Sequence, residues 1–189
     1  MSKQKNGTAR IIVMILMAAV VIAAAAIGYM AMHQEKASKE ADAVIEEMKV
    51  IIPGLGADVE ESSGNGKDPL SVMIINDTSI VGALQIPSID LLSPVAAKGT
   101  SKAGFATANA GSPLKGNFRL DGSRQDVYSK LTKVKPGDKV IFTDADGARY
   151  IYSVVTQFHL KKWDKADYDL MLTYKVDDDT RFVVGCSLK

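Results

Sequence analysis

The apolar positions follow three different patterns along the chain, and the first is an unbroken run. Residues 11–32 read IIVMILMAAVVIAAAAIGYMAM, which is 22 residues without a charge. At about 1.5 Å per residue, a helix of this length crosses a hydrocarbon core of about 30 Å, so the run predicts a transmembrane helix. A cleaved signal peptide is the alternative, because small residues such as Ala23 and Ala25 suit a signal peptidase. The apolar run exceeds the length of a signal core, which favours the uncleaved anchor.

The second pattern has helical spacing and follows the apolar run. Residues 33–52 read HQEKASKEADAVIEEMKVII, and their apolar positions recur every three or four residues among mixed charges: Ala41, Val44, Ile45, Met48 and Ile52. Pro53 and Gly54 end this pattern, and a segment rich in glycine, serine and acidic residues follows without periodicity. Residues 33–69 are therefore interpreted as a juxtamembrane helix and a linker.

The third pattern fills residues 70–189 with short runs rich in Val, Ile, Tyr and Phe, which predict β-strands. The pair Asp146-Gly147 favours a tight turn, so residues 138–158 are predicted to form a hairpin. A short helix is predicted in QDVYSKLTKV, with Val127, Leu131 and Val134 on one face. An all-β domain with one or two short helices removes its exposed edges most simply by closing into a barrel.

Charge indicates how the chain is oriented and which partners it excludes. Lys3, Lys5 and Arg10 are the only charged residues among residues 1–32. This bias predicts that residues 1–10 are cytoplasmic, that residues 11–32 span the cell membrane, and that the remainder lies outside. The formal net charge is +1 and no basic stripe is present, which argues against a nucleic-acid-binding protein.

Cys186 is the only cysteine, so an internal disulfide is excluded. Its thiol is free, paired between chains, or used chemically. The further alternative is a buried cysteine that packs as a small hydrophobic residue.

Four blocks of the sequence carry a resemblance to one protein family. The block IVGALQIPSIDLLSPV is similar to an "I-G-x-I-x-I-P-x-I" run leading to a Pro-Val pair, and GNFRLDGSR to "G-N-x-x-I-A-G-H-R". The block YSKLTKVKPGDKVIFTDADGARYIYSV is similar to "F-x-x-L-x-x-l-k-x-G-D-x-i" and its hairpin, and TRFVVGCSLK to a strand ending in "T-L-x-T-C-T-P". Over residues 79–189 the chain thus resembles the sortases, the membrane-anchored cysteine transpeptidases of Gram-positive cell surfaces.

The resemblance implies an eight-stranded β-barrel with a catalytic thiol at the end of the seventh strand. It places Cys186 in the position of the nucleophile, at an accessible barrel rim, and Ser123 in the position of the catalytic histidine, close to Cys186. A serine hydroxyl does not titrate near neutrality and cannot replace an imidazole as a general acid. The family arginine is expected on an eighth strand after the cysteine, and because the sequence ends at Lys189, that strand is expected to be absent.

Two functions follow from the resemblance. One is cleavage of sorting-signal peptides of surface proteins or pilins and their attachment to the cell wall, with Cys186 as nucleophile and without cofactor or metal. The alternative is a catalytically inactive sortase-fold protein that binds or scaffolds partners at the cell surface, since two of the three catalytic groups are missing. In that case the cysteine strand would also be an open edge able to pair with a partner strand.

Overall fold

The computed structural model describes residues 3–63, 66–161 and 166–189, and it describes side chains from Met14 onward. The chain divides into two units, Met1–Lys36 and Ala37–Lys189. The long helix α1, Lys3–Ile51, begins in the first unit and ends in the second. It ends just before Pro53, whose ring cannot continue a helix, and Gly54 follows with a φ of +75°.

The first unit consists of the apolar part of α1. The apolar side chains between Met14 and Met32 are exposed in the isolated chain, and this is the one helix among the described residues that is long and apolar enough to cross a membrane. An apolar helix exposed in this way requires a nonaqueous environment or a partner, which supports membrane association.

In the second unit, the last part of α1 packs against the β-domain through one face. The five apolar residues predicted from helical spacing are all buried: Ala41, Val44, Ile45, Met48 and Ile52. They form a small core with apolar side chains of three strands and one loop, including Ile80, Ala83, Ala96 and Phe105. Gly104 allows this close approach, because a Cβ atom there would lie 2.5 Å from the carbonyl oxygen of Ala37. The last part of α1, residues 37–51, therefore belongs to the folded unit through its apolar face.

Within the part of the chain that the structure describes, nine strands form the sheet. Their bounds are β1 Met73–Ile75, β2 Thr78–Ile86, β3 Leu91–Ala96, β4 Ala106–Ser112, β5 Gly116–Gly122, β6 Lys139–Asp144, β7 Arg149–Lys161, β8 Leu170–Lys175 and β9 Thr180–Leu188. The strand order is β1-β2-β3-β4-β5-β8-β9-β7-β6, and β6 also pairs with β2. Strands β2 to β9 thus close an eight-stranded barrel, which confirms the predicted fold class, while β1 only extends β2 as a hairpin.

Two pairings in the barrel are parallel, β3 with β4 and β5 with β8, and the rest are antiparallel. The predicted hairpin over residues 138–158 is present, since β6 pairs antiparallel with β7 from Lys139 opposite Ser153 to Thr143 opposite Arg149. Gly147 lies in its turn with a φ of +88°, a conformation that favours glycine.

The short helices are two 3-10 turns, Pro87–Ile89 and Leu131–Lys133. The helix predicted in QDVYSKLTKV is therefore reduced to its last turn, although Val127, Leu131 and Val134 are buried as predicted. These three side chains contribute to the core inside the barrel, whose inward residues alternate along every strand.

Strand β9, which carries Cys186, lies between β7 and β8 and is paired on both sides. The expectation of an open edge on the cysteine strand is therefore wrong. Strand β8 lies outside the runs rich in Val, Ile, Tyr and Phe that predict strands, and its sequence LMLTYK is almost wholly buried. Because β8 precedes β9, the cysteine strand is the eighth strand of the barrel and not the seventh.

Candidate functional site

Cys186 lies in the core of the barrel. It is opposite Leu170 of β8, and Leu170 is in turn opposite Phe118 of β5. The cysteine is 0% exposed, and burial raises the pKa of its thiol to about 12. A thiol acts as a nucleophile only as the accessible thiolate. The prediction of an accessible thiol at the barrel rim is therefore wrong. Cys186 lies near the end of its strand, but its side chain is part of the core.

Ser123 lies at the other end of the same strands. It follows Gly122, the last residue of β5, whose partner on β8 is Tyr174. From Phe118, the residue level with Cys186, to Gly122 the strand advances four residues, or about 13 Å at roughly 3.3 Å per residue. Ser123 is exposed, and its hydroxyl is 3.3 Å from Gln125 Oε1. The prediction that the barrel brings Ser123 close to Cys186 is wrong for this reason.

The strand ends beside Ser123 supply two other side chains. Gly122 and Tyr174 are the last paired residues of β5 and β8, Ser123 and Lys175 are the next residue of each chain segment, and Lys175 is opposite Arg181 on β9. Ser123, Lys175 and Arg181 thus form a row across β5, β8 and β9, which we call the terminal row. Counted along the chain, these are the ends of the fourth, seventh and eighth strands of the barrel.

The terminal row bears on the expected contents of the seventh and eighth barrel strands. The resemblance implied a thiol at the end of the seventh strand and an arginine on the eighth. The eighth strand is present and carries Arg181 near its start, so the expectation that the arginine strand is absent is wrong. At the end of the seventh strand stands Lys175, which forms an exposed ion pair of 2.6 Å with Asp178 Oδ1. The family pattern that ends in a cysteine matches β9 because Cys186 lies there, although β9 is the eighth strand of the barrel and not the seventh.

Tyr174, next to Lys175, points into the barrel and is 3% exposed. Its ring stacks on Phe182 with the ring centroids 5.0 Å apart and an interplanar angle of 23°. His159 is the one histidine in the β-domain. It lies on β7 opposite Phe182 of β9, and the two rings pack edge to face with centroids 5.6 Å apart. The exposed His159 therefore packs on an aromatic ring and is not part of the terminal row.

Asp121 connects the side chains around the terminal row. Its carboxylate accepts hydrogen bonds from Thr173 Oγ1 at 2.6 Å and from the amide of Asn109. Arg181 NH1 donates to Asp121 Oδ2 at 3.4 Å. Arg119 Nε lies 3.2 Å from Asp121 Oδ1, as an ion pair without hydrogen-bond geometry. One carboxylate thus holds two guanidinium groups.

The Asp121 carboxylate compensates part of the positive charge of Arg181. An arginine stabilises a developing oxyanion when its charge is not already compensated by a nearby anion. Here the charge of Arg181 is shared with Asp121, and the side chain of Asp121 is only 17% exposed. The sequence contained the signal for this difference, because Asp121 stands where the quoted family pattern "I-A-G-H" has alanine.

Two cavities lie on either side of Asp121. The first has a volume of about 530 Å³ and includes Ser123, Asp121, Asp126 and Asn109 in its wall, together with the loop between β3 and β4. The second, of about 440 Å³, is here called the arginine groove. It is lined by Asn117, Arg119, Leu160, Ala166, Asp167, Met171, Thr173 and Arg181. The groove runs along β5 and β8 toward the terminal row.

Comparisons with known proteins agree with this architecture. The family model of the Sortase domain matches residues 84–187. Sortase A of Bacillus anthracis is 28% identical over 131 residues, which cover 60% of this chain and 62% of that protein. The alignment therefore spans less than two thirds of the length of that curated relative.

Solved structures show the same fold. A sortase D5 transpeptidase of Clostridium perfringens superposes with a TM-score of 0.52 at 16% identity, covering 82% of this chain and 98% of that one. Sortase C1 of Streptococcus agalactiae gives a TM-score of 0.52 at 17% identity, covering 85% and 97%. Sortase A of Listeria monocytogenes gives 0.50 at 24% identity, covering 58% and 87%. On the matched domain and the closed barrel together, the chain belongs to the sortase family.

Proposed function

We propose that this protein is a membrane-anchored sortase-family protein that binds an extended peptide and does not transfer it through a thiol. The observation that carries the proposal is the composition of the terminal row. Ser123, Lys175 and Arg181 lie at the ends of three barrel strands, and we infer that these are the strand ends where the family places its histidine, thiol and arginine. The row contains neither an imidazole nor a thiol, so neither the acyl-enzyme nor the protonation of a leaving amine has an assigned group.

Peptide binding is supported by the arginine groove. Sortases act on sorting-signal peptides, and the groove offers the features that an extended peptide needs. Leu160, Ala166 and Met171 provide apolar contacts, while Asn117 and Thr173 provide polar groups. The cleft thus combines apolar contacts with polar and charged groups that can orient a bound peptide.

Transfer through Cys186 is the competing function, and it requires the core to open. The thiol is buried, and Cys186 is paired with Val154 of β7 on one side and with Leu170 of β8 on the other. A peptide carbonyl could reach it only after β9 had separated from a neighbouring strand. In our proposal Cys186 is a packing residue, as the buried alternative for a lone cysteine anticipates.

The two functions are separated by a cleavage assay on the full chain in detergent. A fluorogenic sorting-signal peptide is expected to show no cleavage above the protein-free background, and Cys186→Ala is expected to change nothing. Cleavage by the unmodified protein that disappears in Cys186→Ala would overturn the proposal and assign the nucleophile to Cys186.

The position of the terminal row is tested by thiol labelling with iodoacetamide. The native protein is expected to incorporate no label, whereas Lys175→Cys incorporates one equivalent, because residue 175 is exposed and residue 186 is buried. The matched control is Val184→Cys, which introduces a thiol at a second buried position of β9 and is expected to remain unlabelled. Labelling of native Cys186 at the rate of Lys175→Cys would contradict the assignment.

The orientation of the anchor is also a proposal. Lys3, Lys5 and Arg10 precede the apolar part of α1, which favours a cytoplasmic N-terminus with the β-domain outside the cell. Protease added to intact cells without their wall is expected to digest the β-domain. Complete protection of the β-domain under these conditions would reverse the orientation.

A further inference from the structure

We infer that the arginine groove selects peptides that carry a carboxylate, an inference that rests on the proposed peptide-binding function and names the class of peptide. The groove contains two arginines from different strands, Arg119 on β5 and Arg181 on β9, with Thr173 of β8 between them. Two guanidinium groups beside one cleft form a site for a carboxylate, because each presents a planar fork of N–H donors.

Each arginine retains donors that can reach a ligand. Arg119 contacts Asp121 through Nε, and Arg181 contacts Asp121 through Nη1, which also donates to Thr173 Oγ1 at 3.5 Å. The two side chains remain 37% and 41% exposed. A guanidinium has five N–H donors, so the contact with Asp121 leaves several of them free to face the groove.

Asp121 positions the two arginines and is not available to a ligand. Its oxygens are engaged by Thr173 at 2.6 Å and by Asn109, in addition to the arginines. Asp121 contacts the two guanidinium groups at 3.2 and 3.4 Å and carries one negative charge, so it compensates only one of their two positive charges. The remaining positive charge is the part that a ligand carboxylate would balance.

Asp167 is the other acidic residue of the groove and opposes an anionic ligand. It is exposed, so its charge is largely screened by water and contributes little at a distance. Removing the charge of Asp167 should therefore strengthen the binding of an acidic peptide only slightly, whereas removing either arginine should weaken it markedly.

A peptide fits the groove better than a free anion or a nucleic acid. Leu160, Ala166 and Met171 lie beside the arginines and need an apolar partner that a small anion lacks. The net charge of +1 does not supply the field that nucleic-acid binding requires. The ligand carboxylate is either an Asp or Glu side chain or a free C-terminus, and an array can distinguish these sources.

The experiment uses the full chain in detergent on an array of randomised octapeptides, printed in parallel with free and with amidated C-termini. Asp and Glu are expected to be enriched at one position among retained peptides, or retention is expected to require the free C-terminus. For a retained peptide, Arg119→Gln and Arg181→Gln should each weaken binding about tenfold or more, as loss of a charge-assisted hydrogen bond does. Asp167→Asn should bind more tightly.

Arg124→Gln is the matched control, because it removes the same charge from an exposed position outside the groove. It is expected to bind like the unmodified protein. Retention of peptides without any preference for a carboxylate, or equal weakening in Arg124→Gln and Arg119→Gln, would overturn this inference while leaving the peptide-binding function intact. If no peptide were retained by the unmodified protein, the proposed function itself would fail.

Discussion

The two ends of strand β9 differ in almost every physical property. At one end Arg181 is exposed, charged and shared between Asp121 and the groove, whereas at the other end Cys186 is uncharged and fully buried. Both residues belong to one nine-residue strand and both are of a type used in sortase catalysis. The comparison teaches that in this barrel the residue type does not determine the role. The level along the strand decides whether a side chain meets a ligand or the core.

The largest difference between the two ends is expected in stability. Phe118→Ala at the buried end should lower the free energy of unfolding by about 3–5 kcal/mol, because it removes a fully buried ring and leaves a cavity. The ring also packs edge to face on Phe142, with centroids 4.9 Å apart. Lys175→Ala in the terminal row should change stability by less than about 0.5 kcal/mol, since surface substitutions rarely do more. Urea denaturation of the full chain in detergent measures both changes in the free energy of unfolding. Similar values for the two variants would contradict the expected difference between the two ends.

The next largest effect on stability is expected at Gly185, the residue before Cys186. Gly185 lies under the ring of Tyr168, and a Cβ atom there would be 2.8 Å from two ring atoms. Gly185→Ala should therefore cost about 1–3 kcal/mol, as overpacking does. The glycine at residue 185 is thus explained by packing on Tyr168.

Gly185→Ala is paired with Tyr168→Ala in a double-mutant cycle. The cost of Gly185→Ala should largely disappear once the ring is removed. An unchanged cost in the Tyr168→Ala background would show that the ring is not the cause.

A smaller effect concerns the pH dependence of the buried end. The folded-state pKa of Cys186 is raised to about 12, above the ordinary value of 9.0. The unfolded thiol therefore ionises first, and the stability contributed by the neutral folded thiol is present below pH 9 and is lost as pH rises toward 12. Relative to Cys186→Ala, the unmodified protein should lose about 1 kcal/mol between pH 8.5 and 10. A difference independent of pH would place an accessible thiol at residue 186.

The smallest effect is expected in the polar network beside the terminal row. The double-mutant cycle of Asp121→Asn and Arg181→Gln should give a coupling free energy of about 0.5–1 kcal/mol, because the pair is partly exposed and its contact is long. The parallel cycle with Arg124→Gln should give no coupling, since Arg124 has no contact with Asp121 among the described residues. Coupling of equal size in both cycles would mean that Asp121 responds to general charge and not to the pair.

Local patterns were sufficient for much of the architecture. The helical spacing from Ala41 to Ile52 predicted the buried face of α1, and the turn at Asp146-Gly147 predicted the hairpin of β6 and β7. Helical spacing and tight turns depend on residues close in sequence, so they can be recognised without knowing the partners. The block GNFRLDGSR likewise indicated the family and placed Ser123 at the end of β5.

The candidate site depended on pairings that no local pattern contains. The sequence by itself determined that residues 180–186 form a strand, but only the tertiary structure decided that LMLTYK is inserted beside it as the seventh barrel strand. That insertion places Lys175 and Arg181 next to Ser123, and it moves Cys186 into the core. Likewise, Asp121 accepts a hydrogen bond from Arg181, although the two residues are 60 positions apart in the sequence. The two-residue period of a strand predicts which face a side chain occupies, whereas its level along the barrel is set by the register with nonlocal neighbours.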